Sequence, residues 1–117
     1  MTFQEAAYDW ALSTFGYEIV SNTEERALRF TEEALELSQA VGLTKEQVLQ
    51  MVDYVFSRPK GDVVQEVGGV MNTLGIMCSV YMVDLQTAFE TELNRCWHNR
   101  DKIRDKAMAK HLRGKGL

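Results

Sequence analysis

Three glutamates define the chemistry this chain can be read for. Glu33 and Glu36 belong to the run Glu32-Glu33-Ala34-Leu35-Glu36, a spacing that sets two carboxylates one helical turn apart, where both can reach one ion. Like charges so placed repel unless a cation compensates them, and glutamate oxygens completed by water are the ligands Mg²⁺ prefers. The third, Glu66, is the one formal charge among the twenty-one residues from Val63 to Val83. On a buried apolar helix that carboxylate must stay neutral or meet a cation, because burying an unpaired charge costs several kcal/mol.

Each feature has a plainer reading. On a helical wheel Ala27, Phe30, Ala34, Leu37 and Val41 form an apolar stripe that Leu28 and Leu35 broaden, with Glu33 at its border and Glu36 roughly opposite its centre. A solvated acidic face would look the same. For Glu66 the competing reading is a core glutamate that is neutral or paired with arginine. What favours a metal is the combination, since two helices that each turn carboxylates inward are the usual frame of a metal site in a helical bundle.

The elements that must position these residues are helical. Thr2 to Ser13 reads as a first helix ending before a Phe15-Gly16 turn. Ser21-Asn22-Thr23 supplies cap candidates for a second, Glu24 to Val41, closed by Gly42. Thr44 with Gln47 resembles a capping box for a third, which stops at Ser57 because Pro59 disfavours helical geometry before it. Asp62 opens the apolar fourth helix, and Asp84 caps a fifth that runs to about His111 before Gly114 and Gly116. The predicted class is all-α, an antiparallel bundle of four to five helices in one domain over 1–117. The fourth helix is apolar almost all round, which predicts a buried core helix and self-association through residues 62–83, with Gly68, Gly69 and Gly75 allowing close backbone approach.

Composition narrows the class. With 117 residues, 45% apolar and 26% charged, the chain is long enough for one real core. The net charge of -4 divides into 15 acids and 5 bases over residues 1–94, and 2 acids and 8 bases over 95–117. A basic end can meet phosphates or nucleic acid, but it also suits the last turns of a helix. Cys78 and Cys96 have no metal spacing and fit reduced, cytoplasmic thiols. No secretory pattern is read at the N-terminus. Val63 to Val83 is long enough to span a bilayer, yet Gln65, Glu66, Asn72, three glycines and the lack of a basic flank argue against a membrane.

Glu33-Ala-Leu-Glu36, followed some thirty residues later by Glu66-Val-Gly-Gly-Val-Met-Asn-Thr-Leu, resembles the all-α nucleoside triphosphate pyrophosphohydrolase superfamily, the MazG-like proteins. Their pattern is E-x-x-E on one helix and E-x-x-D on the next long one, and the likeness extends over about residues 4 to 106. Arg95-Cys-Trp-His-Asn99-Arg100 is similar to the K-x-x-x-N-R run on the last helix of related enzymes, with arginine in place of lysine. The fourth acid is missing: Gly69 stands where E-x-x-D has aspartate.

The resemblance implies hydrolysis of nucleoside triphosphates to monophosphate and pyrophosphate with Mg²⁺, or Mn²⁺, as cofactor. It implies Glu33, Glu36 and Glu66 as metal ligands and Glu32 or Glu33 as the residue that positions or deprotonates water. Arg95, Asn99 and Arg100 would hold phosphates, with Lys60 from the loop a further candidate. Trp10, Phe15, Tyr17 and Trp97 could stack on the base, although each also suits a core or dimer role. His98 and His111 have no triad or zinc spacing and read as surface residues. Gly69 motivates an alternative, a relative that binds nucleotide or metal without turnover. A helical interaction or nucleic-acid-binding protein using Arg95 to Lys115 is a third reading, opposed by the overall acidity.

Overall fold

Five of the helices begin where a short polar side chain caps them. The computed structural model describes the backbone of residues 1–113 and the side chains of residues 1–110. Among these it contains seven helices and no strand: α1 (Phe3–Phe15), α2 (Tyr17–Val20), α3 (Thr23–Ala40), α4 (Lys45–Phe56), α5 (Val63–Val80), α6 (Leu85–His98) and α7 (Arg100–Arg113). Thr2 Oγ1 accepts from the Glu5 amide, Asn22 Oδ1 from Glu25, Asp62 Oδ2 from Gln65 and Asp84 Oδ1 from Thr87. Thr44 and Gln47 make the full reciprocal capping box.

Two elements differ from the sequence reading. The turn at Gly16, whose φ of +81° suits glycine, leads into the one-turn helix α2. The long fifth helix is interrupted at Asn99, giving α6 and α7. Gly114 and Gly116, assigned to its end, and the side chain of His111 lie outside the described residues.

The chain divides into two units, one formed by residues 1–35 with 90–117 and the other by residues 36–89. In the first, α1 packs on α2 and on α7, and Thr14, Ile19, Val20 and Glu25 are buried. Lys110 reaches Glu32, joining α7 to α3. The second contains α4 and α5, neither of which has a buried residue. Residues 62–83 are therefore not a buried core helix as expected: α5 has no buried residue, and Leu74, Gly75, Met77 and Cys78 are half-buried. The apolar stripe expected on the second helix is likewise uncovered, with Phe30, Leu35 and Leu37 exposed.

Helices α3 and α5 end in the same hydrogen-bonded motif with different residues. After α3 the Gly42 amide donates to the Gln39 carbonyl and Leu43 to Ser38; after α5 the Met82 amide donates to Ser79 and Val83 to Cys78. The residue in the left-handed region is Gly42 in the first and Met82, at φ +57°, in the second. A side chain there costs roughly 1–2 kcal/mol. Met82→Gly should accordingly raise stability by about 1 kcal/mol in urea denaturation, whereas Gly42→Ala should lower it by a similar amount. Equal effects of the same sign would contradict this assignment.

Candidate metal and phosphate site

The acidic pair lies on α3, where Glu33 and Glu36 are both exposed and one turn apart. Glu33 also faces charge on α6. Its negative charge adds to the effect of Glu92 in raising the pKa of Arg95, and it contributes to raising that of Cys96.

Glu32 is engaged differently. Its carboxylate accepts from Lys110 Nζ at 3.0 Å on both oxygens and from Arg29 Nη1 at 3.0 Å. The hydrogen bond from Lys110, with the Lys110, Arg29 and Lys106 charges behind it, holds Glu32 below its ordinary carboxylate range. A carboxylate so stabilised is a poorer proton acceptor. The geometry makes Glu32 a link between α3 and α7.

Glu66 occupies the first turn of α5 and is exposed. In the single chain it is solvated, so its charge needs no buried partner, contrary to the burial argument made from its apolar surroundings. Its carboxylate folds back over the preceding loop, where a Cβ added to Gly61 would stand 3.2 Å from Glu66 Oε1. Gly61, which sequence reasoning passed over, leaves the room for this conformation. At Gly69 a Cβ would meet nothing within 4 Å, so the position of the missing fourth acid has space for a side chain.

Among the described residues, no three from His, Cys, Asp and Glu stand together so as to hold a metal ion. Two carboxylates on one helix share an ion only with other donors, water among them.

The proposed phosphate ligands are held in intramolecular bonds. Arg95 forms a two-pronged pair with Glu92, Nε to Oε1 at 2.8 Å and Nη2 to Oε2 at 2.7 Å, which raises the Arg95 pKa and lowers that of Glu92. The neighbouring Cys96 thiol is pushed up, first by burial and then by the Glu92 charge, so it is not an activated nucleophile. Asn99 Nδ2 donates to the Arg95 carbonyl at 3.0 Å, at the break between α6 and α7. Arg100 donates to the Ser13 carbonyl and, at 3.3 Å, to the buried hydroxyl of Thr14, with its guanidinium 5.9 Å from the Trp97 ring centre. Lys60 is exposed in the loop between α4 and α5.

The aromatic candidates separate. Trp10 meets Phe15 edge to face at 5.3 Å, and Arg26 lies 5.9 Å above the Phe15 ring, so these two belong to the packing of the first unit. The indole Nε1 of Trp10 is buried with no hydrogen-bond partner among the described residues. Tyr17 is exposed. His98 Nδ1 donates to the Asn94 carbonyl of its own helix at 2.7 Å. The partners that sequence reasoning missed had a local signal, since Arg29 with Glu32 and Glu92 with Arg95 are opposite charges at i,i+3. Lys110 with Glu32, 78 residues apart, had none.

Two substitutions test these assignments. Arg100→Ala should destabilise the protein by about 2 kcal/mol in urea, because it removes charge-assisted bonds and leaves the Thr14 hydroxyl without that donor; unchanged stability would return Arg100 to a purely ligand-binding role. Lys110→Met should move the Glu32 pKa upward, read by carboxyl NMR titration, and an unshifted Glu32 would contradict the link. Because that pKa is depressed in the folded state, the link stabilises above the unfolded-state value and its contribution is lost as pH falls through the folded one.

No protein-family model matches the sequence, and comparison with curated proteins and with solved structures gives no match.

Proposed function

We propose that this chain is a divergent nucleoside triphosphate pyrophosphohydrolase of MazG-like type, dependent on Mg²⁺ or Mn²⁺, built on that family's helical bundle and acting in the cytoplasm. The observation that supports it best is the order and placement of the acids. Glu33 and Glu36 are exposed one turn apart on α3, and Glu66 is exposed in the first turn of α5, the next long apolar helix. In the reaction a water oxygen bonds to the α-phosphorus, the bond from that phosphorus to the bridging oxygen breaks, and pyrophosphate leaves. A bound Mg²⁺ supplies charge neutralisation and a more acidic water in such chemistry. No three acids stand together among the described residues, and no step is assigned through the metal. Glu32, held by Lys110 and Arg29, is poorly suited to accept the water proton, which would pass to another carboxylate of the acidic group. Arg95 and Arg100 would serve phosphates only by exchanging Glu92 and the end of α1 for the nucleotide.

Gly69 favours a second reading, a relative that binds nucleotide without turnover. Pyrophosphate release from a panel of standard and modified triphosphates separates the two. Turnover with Mg²⁺ or Mn²⁺ that falls more than about a hundredfold in Glu66→Gln, beyond the 10–100-fold cost of outer-shell losses, supports the enzyme. Gly69→Asp should increase the rate. Saturable, metal-dependent nucleotide binding with no release from any triphosphate would favour the non-catalytic reading.

A further inference from the structure

Arg26, in the first turns of α3, belongs to none of the groups assigned to phosphate so far. Its guanidinium lies 5.9 Å above the Phe15 ring, and its Nε is buried with no hydrogen-bond partner among the described residues. The acid beside it, Glu25, stands 3.9 Å from Nη2, beyond hydrogen-bond reach. Trp10, edge to face with the same ring at 5.3 Å, brings a second buried donor without an acceptor.

The positive charge is under-compensated. Glu25 is turned to Arg29, whose Nε is 3.2 Å from its carboxylate, and Glu32 is held by Arg29 and Lys110, so Arg26, Arg29 and Lys110 share two carboxylates. Desolvation lowers the Arg26 pKa, Glu25 opposes that shift and the Arg29 charge adds to it. Folding has withdrawn part of a guanidinium from water without giving it an acceptor, and such a loss costs more for a charged donor than for a neutral one. Because 34% of the side chain is exposed although Nε is covered, an anion can approach the fork from solvent.

Position on the helix says which anion. Arg26 and Glu33 both lie within α3, seven residues apart, which sets them about 20° from each other around the helix and about 10.5 Å along its axis. We propose that Arg26 binds the terminal phosphate of a nucleoside triphosphate whose reacting end lies at Glu33, so that one side of α3 holds the length of the triphosphate. This assignment rests on the proposed pyrophosphohydrolase reading.

A metal ion about 2 Å from its carboxylate oxygens, followed by a chain of phosphates, fills a gap of that order. A guanidinium meets phosphate through two parallel N–H bonds, and at Arg26 no hydrogen-bonded acceptor has to be displaced first. Arg95 and Arg100 differ, since each must give up Glu92 or the end of α1. When the bond from the α-phosphorus to the bridging oxygen breaks, its electron pair leaves with pyrophosphate, and a cation on the terminal phosphate stabilises the charge that grows there. Selection of triphosphate over diphosphate follows, because a diphosphate placed at Glu33 stops short of Arg26.

The test is isothermal titration calorimetry of the full chain, in Mg²⁺, with the α,β-imido analogues of the standard nucleoside triphosphates and the matching diphosphates. Wild type should bind its best triphosphate about tenfold more tightly than the matching diphosphate, the worth of one charge-assisted hydrogen bond. Arg26→Gln should abolish the preference, weakening the triphosphate about tenfold and the diphosphate by less than about twofold. Arg26→Lys, which keeps the charge beside Phe15, is the second variant where Arg26→Gln fails to fold, helicity being followed by circular dichroism. It should still lose part of the preference, since an ammonium cannot make the two-pronged contact. Unchanged preference in whichever variant folds would overturn the assignment, as would equal weakening of both nucleotides, the mark of a purely structural arginine. Wild type that binds triphosphate and diphosphate alike would overturn it as well. Binding of neither would remove it together with the pyrophosphohydrolase reading, whereas an Arg26-dependent preference without pyrophosphate release from natural triphosphates would keep Arg26 and favour the non-catalytic relative.

Discussion

The constraint on which the rest of this structure depends is hydrophobic coverage. Ordering each residue costs roughly 1–2 kcal/mol of backbone entropy, and burying an aliphatic side chain returns about 1.5–3 kcal/mol. Within one chain the buried apolar residues among those described are Ile19 and Val20. Helical hydrogen bonds and caps set the local geometry of α3, α4 and α5, but they do not offset the entropy of ordering so much exposed chain. The valines and methionines of α4 and α5 are therefore the stabilising potential of the fold, realised only when something apolar lies over them. Glu66 lies among those valines and shares their exposure.

The first unit is held together differently. Charged and polar groups occupy positions a core would give to leucine: Glu25 is buried beside Arg26 and Arg29, and Glu32 joins Lys110. The cost of withdrawing arginine from water shows in the lowered Arg26 pKa, driven first by desolvation. Pairs of this kind add little stability for their burial, yet they fix which faces meet. Arg100 acts in the same sense at the end of α1, where Thr14 receives it.

Much of the fold was legible because it is local. Thr44, Asp62 and Asp84 cap as their types and spacing require, Gly42 ends α3, and the all-α class follows from the periodicity. The break at Asn99 was not legible, since the run from Leu85 to Arg113 reads as one helix; Asn99 turns its amide back to the Arg95 carbonyl, and Arg100 bonds to residues 86 and 87 positions earlier. Met82 in the left-handed region had no signal, glycine being the usual residue there. The three acids were legible as chemistry but not as a site. Sequence shows which faces are apolar or acidic, whereas the proximity of acids on different helices depends on tertiary contacts that no local pattern encodes. Exposure of α5 reverses the premise that made Glu66 conspicuous while leaving its position among the valines intact.

An acidic pair on α3, a third acid in the first turn of an exposed apolar helix, and arginines already held by Glu92, Ser13 and Thr14 are the groups on which the proposed metal-dependent reading rests. The most direct measurement is Mn²⁺ binding followed by electron paramagnetic resonance in wild type, Glu33→Gln and Glu66→Gln. The proposed reading predicts saturable binding by wild type that both variants weaken. Equal Mn²⁺ affinity in all three proteins would contradict it.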